Sequence, residues 1–88
     1  MCKKFVIGET KYIEVEVKSR DNTEFTITSA AWVLEFMGDE VEKGSAEIDG
    51  HLLSVLLTAP NKAGDYVLTI WYNVPPETLA VEVDINVR

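Results

Sequence analysis

Apolar and polar residues alternate one by one along several stretches of this chain, and this alternation limits its fold more than any other feature. It is clearest in Thr10–Lys18, in Tyr66–Tyr72 and in Leu79–Val87. A period of two residues is that of a β-strand with one buried face, and no stretch shows a convincing helical period. The predicted strands are Lys4–Gly8, Thr10–Lys18, Phe25–Ile27, Ala31–Met37, Glu40–Ile48, His51–Thr58, Tyr66–Tyr72 and Leu79–Val87.

Turn-forming residues separate these stretches at intervals of about 8–12 residues, as in β-sandwiches and small barrels. Asp49-Gly50 is the strongest such signal, and it predicts a type I′ hairpin. Glu40–Ile48 is weaker and more acidic, which is typical of an edge strand whose charges prevent edge-to-edge pairing. The prediction is an all-β sandwich of seven or eight antiparallel strands.

Two aromatic residues are assigned to the core of this sandwich. Tyr66 follows the corner glycine Gly64, where its ring enters the core and its hydroxyl reaches back to the corner backbone. Trp32 lies on the predicted strand Ala31–Met37 and is assigned the place of the central tryptophan that immunoglobulin-type sandwiches carry on their third strand. Val15 or Val17 on one sheet and Leu68 on the other are expected to replace the disulfide on which that tryptophan usually packs.

Length and composition predict one domain, residues 1–88. With 8 basic and 15 acidic residues the net charge is 8 − 15 = −7, which argues against binding to nucleic acid or to an anionic membrane surface. Cys2 is the only cysteine, so no internal disulfide forms. It is interpreted as a free thiol, with a lipidated lipoprotein cysteine as the alternative. Neither a signal peptide nor a bilayer-length apolar stretch is present, and the expected setting is a reducing compartment or a particle assembled in one.

Catalytic and metal-binding motifs are missing, so an enzyme is not expected and no cofactor is predicted. His51 is the only histidine, which leaves histidine-dependent triads without partners, and it is interpreted as a solvated turn residue. Two acidic groups offer the oxygen ligands that calcium takes, Asp21–Glu24 and the group of Asp39, Glu40 and Glu42. Both are better explained by turn capping and by edge-strand charge.

One candidate contact surface emerges near the end of the seventh strand. If Leu68 and Ile70 face inward, the alternation turns Trp71 outward, and an outward indole is often an interface anchor. The predicted protein-contact patch comprises Trp71, Tyr72, Val74 and Pro75. The alternative is a covered outer face or a lone exposed aromatic residue.

The order of these features resembles a known group of domains. Gly8-Glu9-Thr10 precedes an alternating strand, the Asp49-Gly50 hairpin follows, and Ala63-Gly64-Asp65-Tyr66 forms the corner before an alternating last strand. This is similar to the immunoglobulin-like (Ig-like) domains in tail and baseplate proteins of phages that infect Gram-positive bacteria, including the N-terminal domain of their upper baseplate proteins.

The resemblance implies a non-enzymatic structural or adhesive module of a phage or prophage virion. Such a module acts by contact with copies of itself or with another particle protein, in the virion or the host cytoplasm, and takes no small-molecule ligand. The alternative is a carbohydrate- or peptide-binding accessory domain of a bacterial cell-surface protein, with Trp71, Tyr72 and the Pro75-Pro76 loop as its platform.

Overall fold

The computed structural model describes residues 2–18 and 25–88. These residues form two packed β-sheets. The alternating stretches of the sequence form most of the strands, because each pairs its backbone while burying one row of side chains. The strands are β1 Cys2–Phe5, β2 Thr10–Glu16, β3 Ser29–Phe36, β4 Asp39–Ser45, β5 Glu47–Asp49, β6 Leu52–Thr58, β7 Gly64–Val74 and β8 Glu77–Val87.

The strand order identifies the architecture. The large sheet has the order β1-β8-β7-β3-β4, and the small sheet has the order β2-β6-β5. All pairs are antiparallel except β1, which runs parallel to β8. The small sheet therefore corresponds to strands B, E and D of an Ig domain, and β8, β7 and β3 correspond to G, F and C, with β4 as an added C′ strand. The predicted all-β, Ig-like sandwich is confirmed.

The core lies between the sheets and contains the residues that the alternation assigned to it. Trp32 and Tyr66 are buried, as are Val15 and Leu68 at the positions of the missing disulfide. Val17 is only partly buried, so of the two valines considered, Val15 is the one in the core. The fully buried aliphatic side chains include Ile13, Leu34, Leu53, Val55, Leu57, Ile70, Val83 and Ile85.

The corner before β7 is built as predicted. The Tyr66 hydroxyl donates a hydrogen bond of 2.7 Å to the Lys62 carbonyl oxygen. Gly64 has a φ of +154°, and a Cβ at this position would lie 2.9 Å from Cε2 of Phe36. The Phe36 and Tyr66 rings pack with their centroids 4.8 Å apart. Glycine is therefore required here both by the backbone and by the close approach of Phe36.

The segment Glu40–Ile48 is not one strand, and this part of the prediction was wrong. The chain leaves the large sheet after β4, passes through Ala46 and enters the small sheet as β5. The Ala46 N–H donates to the Ala30 carbonyl at 3.1 Å, and the Ala46 side chain packs against the core. Both resulting strands lie at sheet edges, as the acidic composition indicated.

The type I′ turn lies elsewhere than predicted. Met37 and Gly38, between paired Phe36 and Asp39, have φ of 52° and 87°, and this turn type needs both values positive. The hairpin after β5 has Gly50-His51 as its loop, with positive φ at Gly50 alone, which suits a type II′ turn.

Other sequence-based assignments also differ from the structure. The first strand was predicted to extend to Gly8 but ends at Phe5, because Gly8 has a φ of +82° and lies in a turn. Phe25–Ile27 forms no strand, although Ile27 is buried. The acidic turn Asp21–Glu24 lies outside the described residues. No helix in the described part of the chain is long and apolar enough to cross a membrane.

Candidate functional site

The outer face of the large sheet carries an exposed indole at its centre. Trp71 lies on β7 with 49% of its surface exposed, and its cross-strand neighbours are Ala31 on β3 and Ala80 on β8. Directly opposed residues in a sheet share a face, so the indole stands between two methyl side chains. The indole is therefore flanked on both sides by small side chains.

Apolar surface continues from this indole along the sheet. Val33 and Val67 are half-buried at neighbouring outward positions of β3 and β7, Thr69 between them is almost fully covered, and Met37 projects from the turn with 87% exposure. We call this set the Trp71 face, defined by Ala31, Val33, Met37, Val67, Thr69, Trp71 and Ala80. Met37 also holds the positive φ noted above, which is uncommon for a residue other than glycine, asparagine or aspartate.

Charged side chains border this apolar strip. Lys43 is paired with Val33, and Thr69 is paired with both Val33 and Glu82, so one row across the sheet runs Lys43, Val33, Thr69, Glu82. The row therefore ends in opposite charges three strands apart, a separation of about 14 Å at the usual strand spacing. The next row in the direction of Met37 is acidic, with Glu35 paired to Val67.

The residues of the predicted contact patch do not share one surface. Trp71 faces outward as expected, but Tyr72 and Val74 are partly buried and pack against the core. Pro75 lies in the β7–β8 loop at one end of the sandwich. Alternation explains the separation, because residues 71 and 72 of one strand must point to opposite sides of the sheet. A contact role for each of the four residues stays a prediction.

The single histidine belongs to that end of the sandwich. His51 stacks on Phe25 with ring centroids 4.0 Å apart and an interplanar angle of 8°. Its Nε2 lies 2.9 Å from the Phe25 carbonyl oxygen. The two rings form an open cleft together with Thr26, Val74 and Pro75. The histidine is exposed in a turn, as predicted, but it anchors the Phe25 segment instead of being only solvated.

No group of three or more His, Cys, Asp or Glu side chains in residues 2–18 and 25–88 is placed to hold a metal ion. Cys2 is exposed and unbridged. A hydrogen bond from the Val6 N–H lowers the pKa of Glu9, with Lys11 acting in the same direction and desolvation opposing them. This carboxylate lies in a turn and stabilises it.

Sequence reasoning found Trp71 but missed the residues that make its surroundings. Ala31, Ala80 and Met37 carry no chemical motif, and their importance appears only once the register of β3, β7 and β8 is known. The Pro75-Pro76 loop, by contrast, was included in the predicted patch because of its composition, but it lies at one end of the sandwich.

The comparisons with known proteins bear on the fold. No protein-family model matches the sequence, and no curated protein matches it. Among solved structures, the chain is similar to titin Ig tandem domains, with 13% sequence identity and a TM-score of 0.54. The match covers 99% of this chain and 43% of that one, so the chain spans less than half of its neighbour's length. The strand order and this likeness together establish an Ig-like fold without a disulfide.

Proposed function

We propose that this chain is a non-enzymatic Ig-like module that assembles with copies of itself through the Trp71 face. The observation that carries the proposal is the half-exposed indole between two alanines at the centre of a sheet. A large aromatic side chain is costly to leave in water and loses little conformational freedom when it is buried at an interface.

Two copies of the Trp71 face can be placed against each other around the indole. Two copies facing each other across a two-fold axis that runs along the strands between β3 and β7 would place β7 of one copy over β3 of the other. Trp71 of each copy would then lie over Ala31 of the second copy, a large side chain over a small one. Face-to-face sheets align within about 30° in this way, and a two-fold interface uses the same patch twice.

The charges of the central row fit the same arrangement. The axis that places β7 over β3 also places β8 over β4, so Glu82 of one copy faces Lys43 of the second. The acidic row brings Asp84 over Glu40 of the second copy on the same two strands, and each copy carries a net charge of −7, so the repulsion that salt screens outweighs the attraction of the paired charges. Added salt is therefore expected to strengthen association.

The first experiment is the solution mass of the purified chain by light scattering across a concentration series under reducing conditions. We expect a dimer or larger assembly at physiological salt, and Trp71→Ala should weaken it roughly 30-fold, the effect of an interface hot spot of about 2 kcal/mol. Tyr12→Ala is the matched control, because Tyr12 is similarly exposed but lies on the small sheet. A strict monomer at high concentration contradicts self-assembly.

The biological setting we propose is a phage or prophage particle, in the virion or the host cytoplasm, with this module as a structural or adhesive part. Support comes from the resemblance of the motif order to tail and baseplate domains. The net charge of −7 fits a protein that avoids nucleic acid and anionic membrane. The alternative is a carbohydrate- or peptide-binding accessory domain of a bacterial cell-surface protein that uses Trp71, Tyr72 and the Pro75-Pro76 loop as its platform. We favour self-assembly because Tyr72 packs against the core whereas Trp71 faces outward.

A further inference from the structure

Strand β2 forms a free edge of the small sheet. It pairs with β6 on one side only, and no other described strand pairs with its second side. The first strand, which borders this position in many Ig domains, is committed to the large sheet through β8. An unpaired strand edge offers a row of backbone donors and acceptors to an added strand.

The register identifies the backbone groups that face outward. Glu9 accepts from the Ala59 N–H and Val17 donates to the His51 carbonyl, each at 2.8 Å, so the odd-numbered residues between them bond to β6. The N–H and C=O groups of Tyr12, Glu14 and Glu16 therefore point away from the sheet. None of these groups has a hydrogen-bond partner among residues 2–18 and 25–88.

One end of this edge is closed by a side chain. The Lys11 ammonium donates to the Lys4 carbonyl oxygen and lies 4.4 Å from the centre of the Phe5 ring, bridging β2 to β1. The open length thus runs from Tyr12 to Glu16, which is enough for a short added strand to form several backbone hydrogen bonds.

The outer face beside this edge is acidic. Glu14 and Glu47 both flank Ser54, and Glu16 and Asp49 both flank Leu52, so four carboxylates form two parallel rows. The described strand residues on this face include no lysine or arginine. An added strand would lie about 4.8 Å from Glu14 and Glu16, close enough for charge to decide which sequences pair.

We propose that the β2 edge binds an extended peptide segment of a partner protein that carries lysine or arginine at alternate positions. The backbone ladder would supply the binding energy, and the alternate basic side chains would lie against Glu14 and Glu16. A second copy of β2 is a poor occupant, because it would place two acidic faces side by side. This site lies on the small sheet and is independent of the Trp71 face.

The probe is a capped synthetic peptide of alternating lysine and valine, titrated into the isotope-labelled chain and followed by NMR. We expect amide exchange at Tyr12, Glu14 and Glu16 to slow by at least about tenfold on binding, since each N–H gains a partner. A peptide with glutamate in place of lysine is the charge control. A second control is the lysine-valine peptide with methyl groups on the backbone nitrogens that would face β2. This peptide keeps its charge but cannot donate backbone hydrogen bonds to β2.

Two variants separate pairing from simple charge attraction. Glu14→Gln keeps the outward N–H and should weaken binding only a few-fold. Glu14→Pro removes this N–H without breaking a backbone hydrogen bond to β6, and it should weaken peptide binding at least about tenfold. The proposal is overturned if the methylated peptide binds as tightly as the unmethylated one. It is also overturned if binding slows amide exchange across the acidic surface but not at Tyr12, Glu14 and Glu16. The methylated peptide gives this answer even if the proline variant does not fold.

Discussion

The close approach of Gly44 to Trp32 gives a prediction whose size follows from the structure. Gly44 lies opposite Trp32 in the β3–β4 pair, and a Cβ added there would be 2.9 Å from Cζ2 and 3.0 Å from Cε2 and Nε1 of the indole. Carbon atoms in ordinary contact are about 3.5–4.0 Å apart, so Gly44→Ala must push the ring or the strand by about 0.6–1 Å. Trp32 is only 7% exposed and cannot move into solvent.

The expected cost combines two terms. Over-packing a buried site destabilises by about 1–3 kcal/mol, and the stiffer unfolded chain of an alanine variant returns about 0.4–1 kcal/mol. The two ranges leave a net loss of about 0–2.6 kcal/mol, and because the buried ring cannot yield we expect about 1–2 kcal/mol, a fall in Tm of about 5–15 °C for a domain of this size. Urea unfolding should show a lower midpoint with an unchanged slope. Ser45→Ala, at an exposed neighbouring position, should stay within about 0.5 kcal/mol of the parent.

A double-mutant cycle tests whether the contact between residue 44 and Trp32 causes this loss of stability. Trp32→Phe removes the ring atoms that Gly44 approaches, so Gly44→Ala should cost less than about 0.5 kcal/mol in that background. If the alanine costs the same in both backgrounds, or stabilises the parent chain, then the contact between strand and indole does not limit this position.

Other substitutions test other contacts. Tyr66→Phe removes the corner hydrogen bond and should cost about 0.5–1.5 kcal/mol by urea unfolding, whereas Tyr12→Phe, on an exposed ring, should cost nothing measurable. Met37→Asn suits the positive φ better and should raise the Tm, and an unchanged or lower Tm would show that the turn is not strained there. Glu9 has a lowered pKa because it accepts from the Val6 N–H, so the stability it adds is complete at neutral pH and is lost as the pH falls through that lowered pKa. Unfolding curves of Glu9→Gln and the parent should therefore converge on acidification, and a constant gap would refute this.

Much of the fold was predictable because alternation is a local signal. It gave the buried rows of β2, β6, β7 and β8 and the corner at Tyr66, each of which depends on residues within one stretch. The passage of the chain between sheets at Ala46 was not predictable, since the sequence Glu40–Ile48 reads as one continuous strand and the change depends on distant partners. The parallel pairing of β1 with β8 is likewise a long-range choice.

The candidate site divides in the same way. Alternation placed Trp71 on the outside of its sheet, but it cannot tell which residues of other strands lie beside it. The small side chains beside Trp71, at Ala31 and Ala80, and the row that ends in Lys43 and Glu82 follow from register. Register is set by turn geometry and packing together, and the turn at Met37-Gly38 gave a weaker signal than Asp49-Gly50.

The most direct test of assembly through the Trp71 face is a charge swap followed by light scattering. Lys43→Glu alone and Glu82→Lys alone should each weaken self-association, because each places like charges opposite one another between copies. The double variant restores opposite charges and should recover most of the parent's association. Within one copy the two positions are separated by Val33 and Thr69, so an intramolecular rescue is not expected. A double variant no better than the worse single one, or a parent chain that is monomeric throughout, would contradict the proposed interface.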